Sequence, residues 1–233
     1  MDFFISIIVG ISQAFIFNPI DKAIYKSVIN NTSIINKNNF INPFAGALNG
    51  IYIKVITGGI YFYLIDYTKS LNMNTFQSSI FISTITSLVL NPLNYSRFNS
   101  FIDNNRNLYK INRVNFLITG IEAFILRDFL FNMIYINHNK DKVSSIYNCG
   151  IICSASLISS PFHYFRNMKY YHNNQKNYYE IYLDFKTEFN KNDRKINFIC
   201  KKFSIGIGTI RTIAGIYYSE FMYSALKKLF NKY

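Results

Sequence analysis

A pair of adjacent opposite charges, Arg127 and Asp128, lies inside the apolar stretch 112–136. Ionisable side chains are costly within a segment that could span a membrane, so they are candidates for ligand binding or transport. Two interpretations stay open at this point. In one, the two side chains bind a small charged ligand. In the other, they pair with each other, or with Glu122 and Arg211, inside a sealed cavity.

The other residue types that carry enzyme or metal chemistry form no recognisable constellation. The three cysteines are too few for a disulfide framework, and Cys149-x3-Cys153 lies in an apolar run, where thiols behave as small hydrophobic side chains. The three histidines show no metal-ligand spacing, and no nucleophile–base arrangement or phosphate-binding glycine loop is visible. Gly206 and Gly208 are more simply explained by close packing. The sequence therefore predicts no enzyme activity, no metal site and no cofactor.

The composition points to a membrane rather than to nucleic acid as the partner of this basic chain. Its 233 residues carry a formal charge of +13, and the mean hydropathy is +0.08 because apolar runs alternate with polar stretches. Such a charge suits nucleic acid or an anionic membrane surface. No nucleic-acid-binding motif is present, so we expect membrane lipids as partners and no nucleic acid. Met1 and Asp2 lead directly into apolar sequence without a basic segment, which does not predict a cleavable presequence.

Six apolar segments predict an all-α membrane protein with six transmembrane helices. They cover residues 3–17, 44–66, 76–91, 112–136, 145–160 and 203–226. The even-numbered segments reach the ~20 residues that a bilayer requires. The odd-numbered ones are shorter, but helix-compatible sequence follows the proline that ends each of them, at Pro19, Pro92 and Pro161. A helix kinked at the proline would recover the missing length, which membrane bundles permit.

The same three prolines mark an internal repeat. They are 73 and 69 residues apart, and a small residue stands five positions before each of them, at Ala14, Ser87 and Ser156. In the even-numbered segments the alignment brings together Gly50, Gly120 and Gly208. Small residues at such positions let membrane helices approach closely. The alignment predicts one domain of three two-helix repeats, over residues 1–73, 74–143 and 144–233.

Polar residues follow the helices of each repeat at fixed spacing. Two and five positions after the prolines stand Asp21 and Ile24, Asn94 and Arg97, and His163 and Arg166. Near the ends of the even-numbered segments the matching pairs are Asp66 and Lys69, Asn137 and Lys140, and Ser224 and Lys227. In degenerate form these are the motifs Pro-x-[Asp/Glu]-x-x-[Lys/Arg] and [Phe/Tyr]-[Asp/Glu]-x-x-[Arg/Lys]. With the three repeats, they make nearly the whole chain resemble the mitochondrial carrier family.

The resemblance implies that the two motif sets form rings of salt bridges between repeats, one on the matrix side and one on the cytosolic side. Alternating access makes one ring while it breaks the other. In this chain only Asp21 and Asp66 keep the acid, and the other positions hold Asn94, His163, Asn137 and Ser224. A charged residue that has lost its partner is costly to bury. These gate remnants therefore favour a protein that no longer transports.

On this basis we expect a transport-inactive, carrier-like structural subunit of a mitochondrial inner-membrane complex, most simply one of the respiratory chain. Its partners would be membrane lipids and the other subunits of that complex. The resemblance also implies a lipid such as cardiolipin where the even-numbered helices begin, near Gly50, Gly120 and Gly208, since helix N-termini bind phosphate. The alternative is a working carrier for a small anionic or amino-acid-like metabolite. Its substrate-contact positions would be Arg127, Asp128, Thr57 and Gly215.

The distribution of basic residues predicts the orientation. Most Lys and Arg residues lie in the loops after the first, third and fifth segments and in the proline-to-loop ends of those helices, so we place these long basic loops in the matrix and both termini toward the intermembrane space. In the longest loop one helical face carries Tyr178, Ile181, Tyr182, Phe185 and Phe189. Such a face is typical of a helix that lies in the membrane interface.

Overall fold

The computed structural model describes residues 2–102, 117–138 and 145–230, and these residues form helices and connections without any β-strand. The predicted all-α class is therefore confirmed. The α-helices are α1 (Asp2–Asn30), α2 (Ala47–Ser70), α3 (Thr75–Phe101), α4 (Ile121–His138), α5 (Ser145–Tyr171), α6 (Tyr178–Asn190), α7 (Lys195–Lys202) and α8 (Ile207–Phe230). A short 3-10 helix, Lys37–Phe40, lies between α1 and α2.

The six long helices form a ring in chain order. Helix α1 packs on α2, α2 on α3, α3 on α4, and α4 on α5. Helix α8 then packs on both α5 and α1 and closes the ring. The two short helices lie at one end, where α6 contacts α5, and α7 contacts α6 and α1. Each predicted repeat thus contributes two neighbouring helices to the ring.

Three of the ring helices continue through a proline. Pro19, Pro92 and Pro161 lie inside α1, α3 and α5, so each short apolar run is the first half of a longer helix whose second half is more polar. A proline lacks the N–H that the helical ladder needs, and a kink at each site is the expected consequence. The extension of these helices beyond the apolar runs follows the sequence prediction.

The asparagines before two of these prolines tie each helix to the connection that follows it. The Asn18 side-chain amide donates to the carbonyl oxygens of Pro43 and Ala45, at 2.8 and 3.0 Å. The Asn91 amide donates in the same way, to Leu117 and Thr119 at 2.8 and 3.1 Å. In the third repeat Ser160 stands at this position, and its hydroxyl donates to Leu157 in its own helix. The first two predicted repeats therefore share hydrogen bonds from an asparagine amide to the following connection, and the third lacks them.

A glycine with positive φ precedes each even-numbered ring helix. These are Gly46, Gly120 and Gly206, with φ angles of 71°, 69° and 97°. By backbone conformation, the counterparts of Gly120 are thus Gly46 and Gly206, which lie four and two residues before the Gly50 and Gly208 of the predicted alignment. Equal spacing to the polar motifs suggested that alignment, whereas the turn that starts each helix selects the glycine by its backbone conformation.

Helix α6 does not offer its apolar face to a membrane interface as predicted. Asn177 and Glu180 form a reciprocal capping box at its start, with two bonds of 2.7 Å. Ile181 is fully buried and packs with Val28 of α1 and Tyr164 of α5. The rings of Phe185 and Phe203 stack on each other beside this cluster. The end of the ring is itself apolar and buries Ile181, while Tyr182 of the predicted face stays 46% exposed.

The ring is apolar on the outside and polar on the inside. Helix α1 exposes large hydrophobic side chains, and α3 and α5 do the same; examples are Ile8, Ile11, Phe15, Ile80, Leu88, Leu157 and Ile158. Buried polar residues on the same helices include Gln13, Asn18, Ser79, Ser83, Thr86, Asn91 and Ser159. Within the described ranges, one helix, over Ile7–Asn30, is long and apolar enough to cross a membrane by length and composition. The inward polar residues lower the average hydropathy of the other helices.

We expect Gly120→Ala to destabilise the protein. The left-handed conformation of Gly120 costs an L-residue roughly 1–2 kcal/mol, and the added methyl group would lie 3.2 Å from the ring of Tyr170. Gly150→Ala, in the interior of α5, meets nothing within 4 Å and should leave stability unchanged or slightly higher. Thermal unfolding in detergent measures both. Equal melting temperatures for the two variants would contradict the assigned backbone conformation.

Candidate functional site

The ring encloses a cavity of about 490 Å³ that is lined by residues from all six long helices. Its wall is strongly charged. Among the described residues it includes five cations, Lys54, Arg97, Arg127, Arg166 and Arg211, and two carboxylates, Asp21 and Asp128. The wall carries three more basic than acidic side chains around a partly open space, which makes this cavity the candidate functional site and suits an anion.

One carboxylate joins three helices at the proline end of the cavity. Arg97 of α3 donates to Asp21 of α1 over 2.9 Å, and Arg211 of α8 donates to it over 2.7 Å. The Nε of Arg211 also pairs with the second oxygen of Asp21. Asp21 was expected to pair with a cation of the repeat motifs, but Arg211 lies outside those motifs and was not predicted as its partner. We refer to Asp21, Arg97, Arg166 and Arg211 as the latch end.

Arg166 is the latch-end cation without a carboxylate. It is 1% exposed, and in the described part of the chain no carboxylate lies within ion-pair distance of it. Its Nη2 contacts the hydroxyl of Tyr25 at 3.3 Å and Nδ1 of His163 at 3.0 Å, while its Nε and Nη1 have no acceptor among the described residues. The ring of Phe124, 4.6 Å from the guanidinium carbon, offers a weaker cation–π contact.

Arg127 and Asp128 pair with each other on the cavity wall, with 3.1 Å between Nη1 and Oδ1. This contact is the one that the internal interpretation predicts, and ligand binding by the pair stays a prediction. The other two residues considered with it are engaged elsewhere, since Arg211 binds Asp21 and Glu122 accepts from the Tyr178 hydroxyl at 3.0 Å. Burial, and to a lesser degree the Glu122 carboxylate, raise the pKa of that hydroxyl.

The remaining predicted contact positions differ in their placement. Thr57 lines the cavity, and its hydroxyl donates to the carbonyl of Ile53 at 2.6 Å. Gly215 does not line it. Its carbonyl oxygen accepts from the Gln13 side chain at 2.8 Å, and a methyl group at Gly215 would lie 2.8 Å from that amide. Gly215 therefore serves the close approach of α1 and α8.

The glycines predicted to lie near lipid face the interior or the helix starts. Gly50 is buried against the guanidinium of Arg97, because a methyl group added at Gly50 would lie 3.2 Å from the Arg97 Nε. Gly208 lines the cavity, and Gly120 packs against the backbone of Arg166. A lipid phosphate at these helix starts would have to use backbone N–H groups.

The opposite end of the ring carries the residues that were predicted as the second set of gate remnants. Asp66 and Lys69 lie 3.9 Å apart within α2, and both side chains are largely exposed. Ser224 is exposed, and the Lys227 ammonium lies 5.6 Å from the centre of the Tyr223 ring. Asn137 is the penultimate residue of α4, but its side chain lies outside the described part, and so does the whole of Lys140.

Lys54 is a cavity residue that the sequence analysis missed. It lies in α2 at the point where α1 comes close, since a methyl group at Gly10 would be 3.2 Å from the Lys54 Cβ. Within the described ranges no carboxylate lies at ion-pair distance from its ammonium group. Its position inside the apolar segment 44–66 was the available signal, by the same reasoning that selected Arg127. The described residues also contain no group of three His, Cys, Asp or Glu side chains that could hold a metal ion.

We expect Asp21→Asn to destabilise the protein by about 3–5 kcal/mol, because it leaves Arg97 and Arg211 buried together without their shared carboxylate. Asp66→Asn is the matched control. It removes an exposed pair within one helix and should change the free energy of unfolding by about 1 kcal/mol or less. Thermal unfolding in detergent compares the two. A loss of equal size in both variants would contradict the role of Asp21 in joining three helices.

Comparison of the chain with protein-family models, with curated proteins and with solved structures finds no match. The resemblance to mitochondrial carriers therefore stays a prediction that rests on the repeated motifs.

Proposed function

We propose that the protein is a membrane carrier of small anionic solutes whose six long helices all cross the bilayer. The observation that carries this proposal is the excess of three basic over acidic side chains around the cavity. A buried cation without a counter-ion is costly, and an anionic solute would remove that cost. A purely structural subunit has no use for such a wall and could replace its cations with apolar residues.

The surface of the ring supports a membrane location. Large hydrophobic side chains face outward along α1, α3 and α5, for example Ile11, Ile80 and Leu157, while charged and hydroxyl side chains face the cavity. Exposed apolar surface on this scale is expected where lipid covers it. The polar inner faces also explain why average hydropathy selects so few of the helices. Following the resemblance, we place the protein in the mitochondrial inner membrane, with the latch end toward the matrix.

A transport cycle follows from the ends of the cavity. At the latch end, Asp21 holds α1, α3 and α8 together. At the other end Asp66, Lys69 and Ser224 are exposed. An anion would enter from that exposed end and meet the cations of the wall. Release on the far side would require Asp21 to separate from both arginines, with the solute charge compensating Arg97 and Arg211 during the step.

Uptake by the purified protein in liposomes tests this function. We expect accumulation of labelled succinate or phosphate, and we expect Lys54→Gln to lower the rate by about tenfold, which corresponds to ~1.4 kcal/mol of lost interaction. Lys228→Gln, an exposed lysine near the end of α8, is the control and should transport normally. Uptake no faster than in protein-free liposomes, for every anion tried, would contradict the proposal.

The second candidate is the transport-inactive structural subunit of a respiratory-chain complex, with cardiolipin at its surface. The small number of carboxylates at the two ends of the cavity favours this structural candidate. Among the described residues a single acid, Asp21, serves the latch end, and at the opposite end Ser224 stands where a carboxylate is expected. A carrier that must close both ends in every cycle would lose stability in each closed state.

Native purification separates the two candidates. A tagged copy isolated from mitochondria in a mild detergent should come free of other subunits if the protein is a carrier. Co-purification with a respiratory complex at near one-to-one stoichiometry would support the structural candidate. In that case a bulky residue at Ala14, which is 2% exposed within the ring, should reduce assembly, whereas alanines at Arg127 and Asp128 should leave respiration unchanged.

A further inference from the structure

We propose that the transported solute carries two anionic groups, one of which binds Arg166 in place of a carboxylate that the latch end lacks, while the other faces Lys54. The inference rests on the proposed function, because it concerns the solute of the same cavity. It adds the class of solute and a reason why binding would favour closure of the latch end.

The internal symmetry of the structure locates the position of the absent carboxylate. Arg97, five residues after its proline, pairs with Asp21, two residues after the proline of the preceding repeat. Arg166 holds the same place one repeat later, and both arginines pack against the positive-φ glycine that begins the next helix, Gly46 or Gly120. By the same step, the counterpart of Asp21 for Arg166 is Asn94.

Asn94 does not take over that role. Its side-chain amide donates to the carbonyl of Leu90 in its own helix, at 2.9 Å. The second acceptor that symmetry provides is also occupied. Asn18 accepts from Arg97 at 3.1 Å, but its counterpart Asn91 accepts from the Tyr170 hydroxyl at 2.6 Å. Arg166 thus occupies the position that Arg97 occupies one repeat earlier. It lacks counterparts of both acceptors of Arg97, which are Asp21 and Asn18.

The buried state of Arg166 makes this position a binding site rather than a surface feature. Its side chain is enclosed, two of its three nitrogens have no acceptor in the described part of the chain, and it lines the cavity. The carboxylate that α4 brings to the cavity wall is Asp128, which is already paired with Arg127. A carboxylate or phosphate group from a solute would supply the charge and the acceptor that Arg166 lacks.

Lys54 indicates the second anionic group. It belongs to α2 and Arg166 to α5, and these two helices lie on opposite sides of the ring. Both side chains face the cavity without a carboxylate at ion-pair distance among the described residues. A solute with two separated anionic groups can meet both cations at once, whereas a solute with one group must leave one cation uncompensated.

The same set of charges argues against an amino-acid-like solute. An ammonium group needs a free carboxylate, and the two carboxylates described on the cavity wall are both engaged, Asp21 by two arginines and Asp128 by Arg127. Binding such a solute would require breaking one of these pairs. The cavity therefore selects for dianions over zwitterions.

Binding to the purified full-length protein in detergent tests the inference. The probes are succinate, inorganic phosphate, acetate and glycine, and the readouts are the dissociation constant from calorimetry and the melting temperature. We expect succinate to bind at least about tenfold more tightly than acetate, and glycine not to bind. The expected tenfold preference corresponds to about 1.4 kcal/mol. Arg166→Gln and Lys54→Gln each remove one of the two cations, so each variant should bind succinate within about threefold of acetate.

Asn94→Asp is the decisive variant. It supplies the carboxylate that Arg166 lacks, so the ligand-free protein should melt at a higher temperature than the wild type, while its affinity for succinate should fall by about tenfold or more. Asn94→Ser removes the amide without adding charge and should keep the wild-type affinity. If Asn94→Asp does not fold, Arg166→Gln decides alone, through its effect on the preference for succinate over acetate.

The outcomes separate the inference from the proposed function. Uptake of anions in liposomes together with unchanged succinate affinity in Arg166→Gln and Asn94→Asp would overturn the inference and leave the carrier function standing. Absence of both binding and uptake would overturn the two together. Cardiolipin added to the micelles is a further arm. Stabilisation by cardiolipin, without any effect of succinate or phosphate, would show that the anion is a lipid headgroup and would overturn the inference.

Discussion

Closure of the helix ring at the latch end depends on one buried carboxylate. Asp21 accepts from Arg97 and from Arg211, and so a single side chain of α1 joins the second helix pair and the last helix at one end of the ring. In a low-dielectric interior such a group must be paired, and the two guanidinium groups around it must be paired as well. The ring closes at this end because each of the three side chains would be costly without the others. This constraint also explains how one acid can hold three helices.

The all-α class and the extension of the helices were predictable from the sequence because their signals are local. The sequence directly shows the prolines, the apolar runs before them and the polar stretches after them. As expected, α1, α3 and α5 extend past Pro19, Pro92 and Pro161. The register of the glycines was not predictable in this way, because positive φ is a property of a turn and not of spacing. The docking of α6 was missed for another reason. An amphipathic face shows that a helix has an apolar partner, but the sequence does not show whether Ile181 meets lipid or the protein itself.

The site was predictable in part. Motif spacing identified Asp21, Arg97 and Arg166 as members of one set, and the apolar context identified Arg127 and Asp128. Arg211 and Lys54 were missed, since they lie outside the motifs, and only the ring brings Arg211 to Asp21 over more than a hundred residues of chain. Gly215 was placed on the cavity by counting along the helix, but a small residue was required there by the Gln13 contact between α1 and α8. Spacing identifies the helix on which a residue lies, and packing decides what the residue meets.

The few carboxylates and the several cations of the cavity wall have to be explained together. If the cavity had no ligand, replacement of Arg166 by an apolar residue of similar volume would be expected to stabilise the protein, as removal of buried charge often does. Arg166 instead stays enclosed with two nitrogens lacking acceptors among the described residues, and Lys54 faces the same space. The combination of an amide at Asn94 with a buried guanidinium at Arg166 is understandable under the proposal that a solute supplies the negative charge.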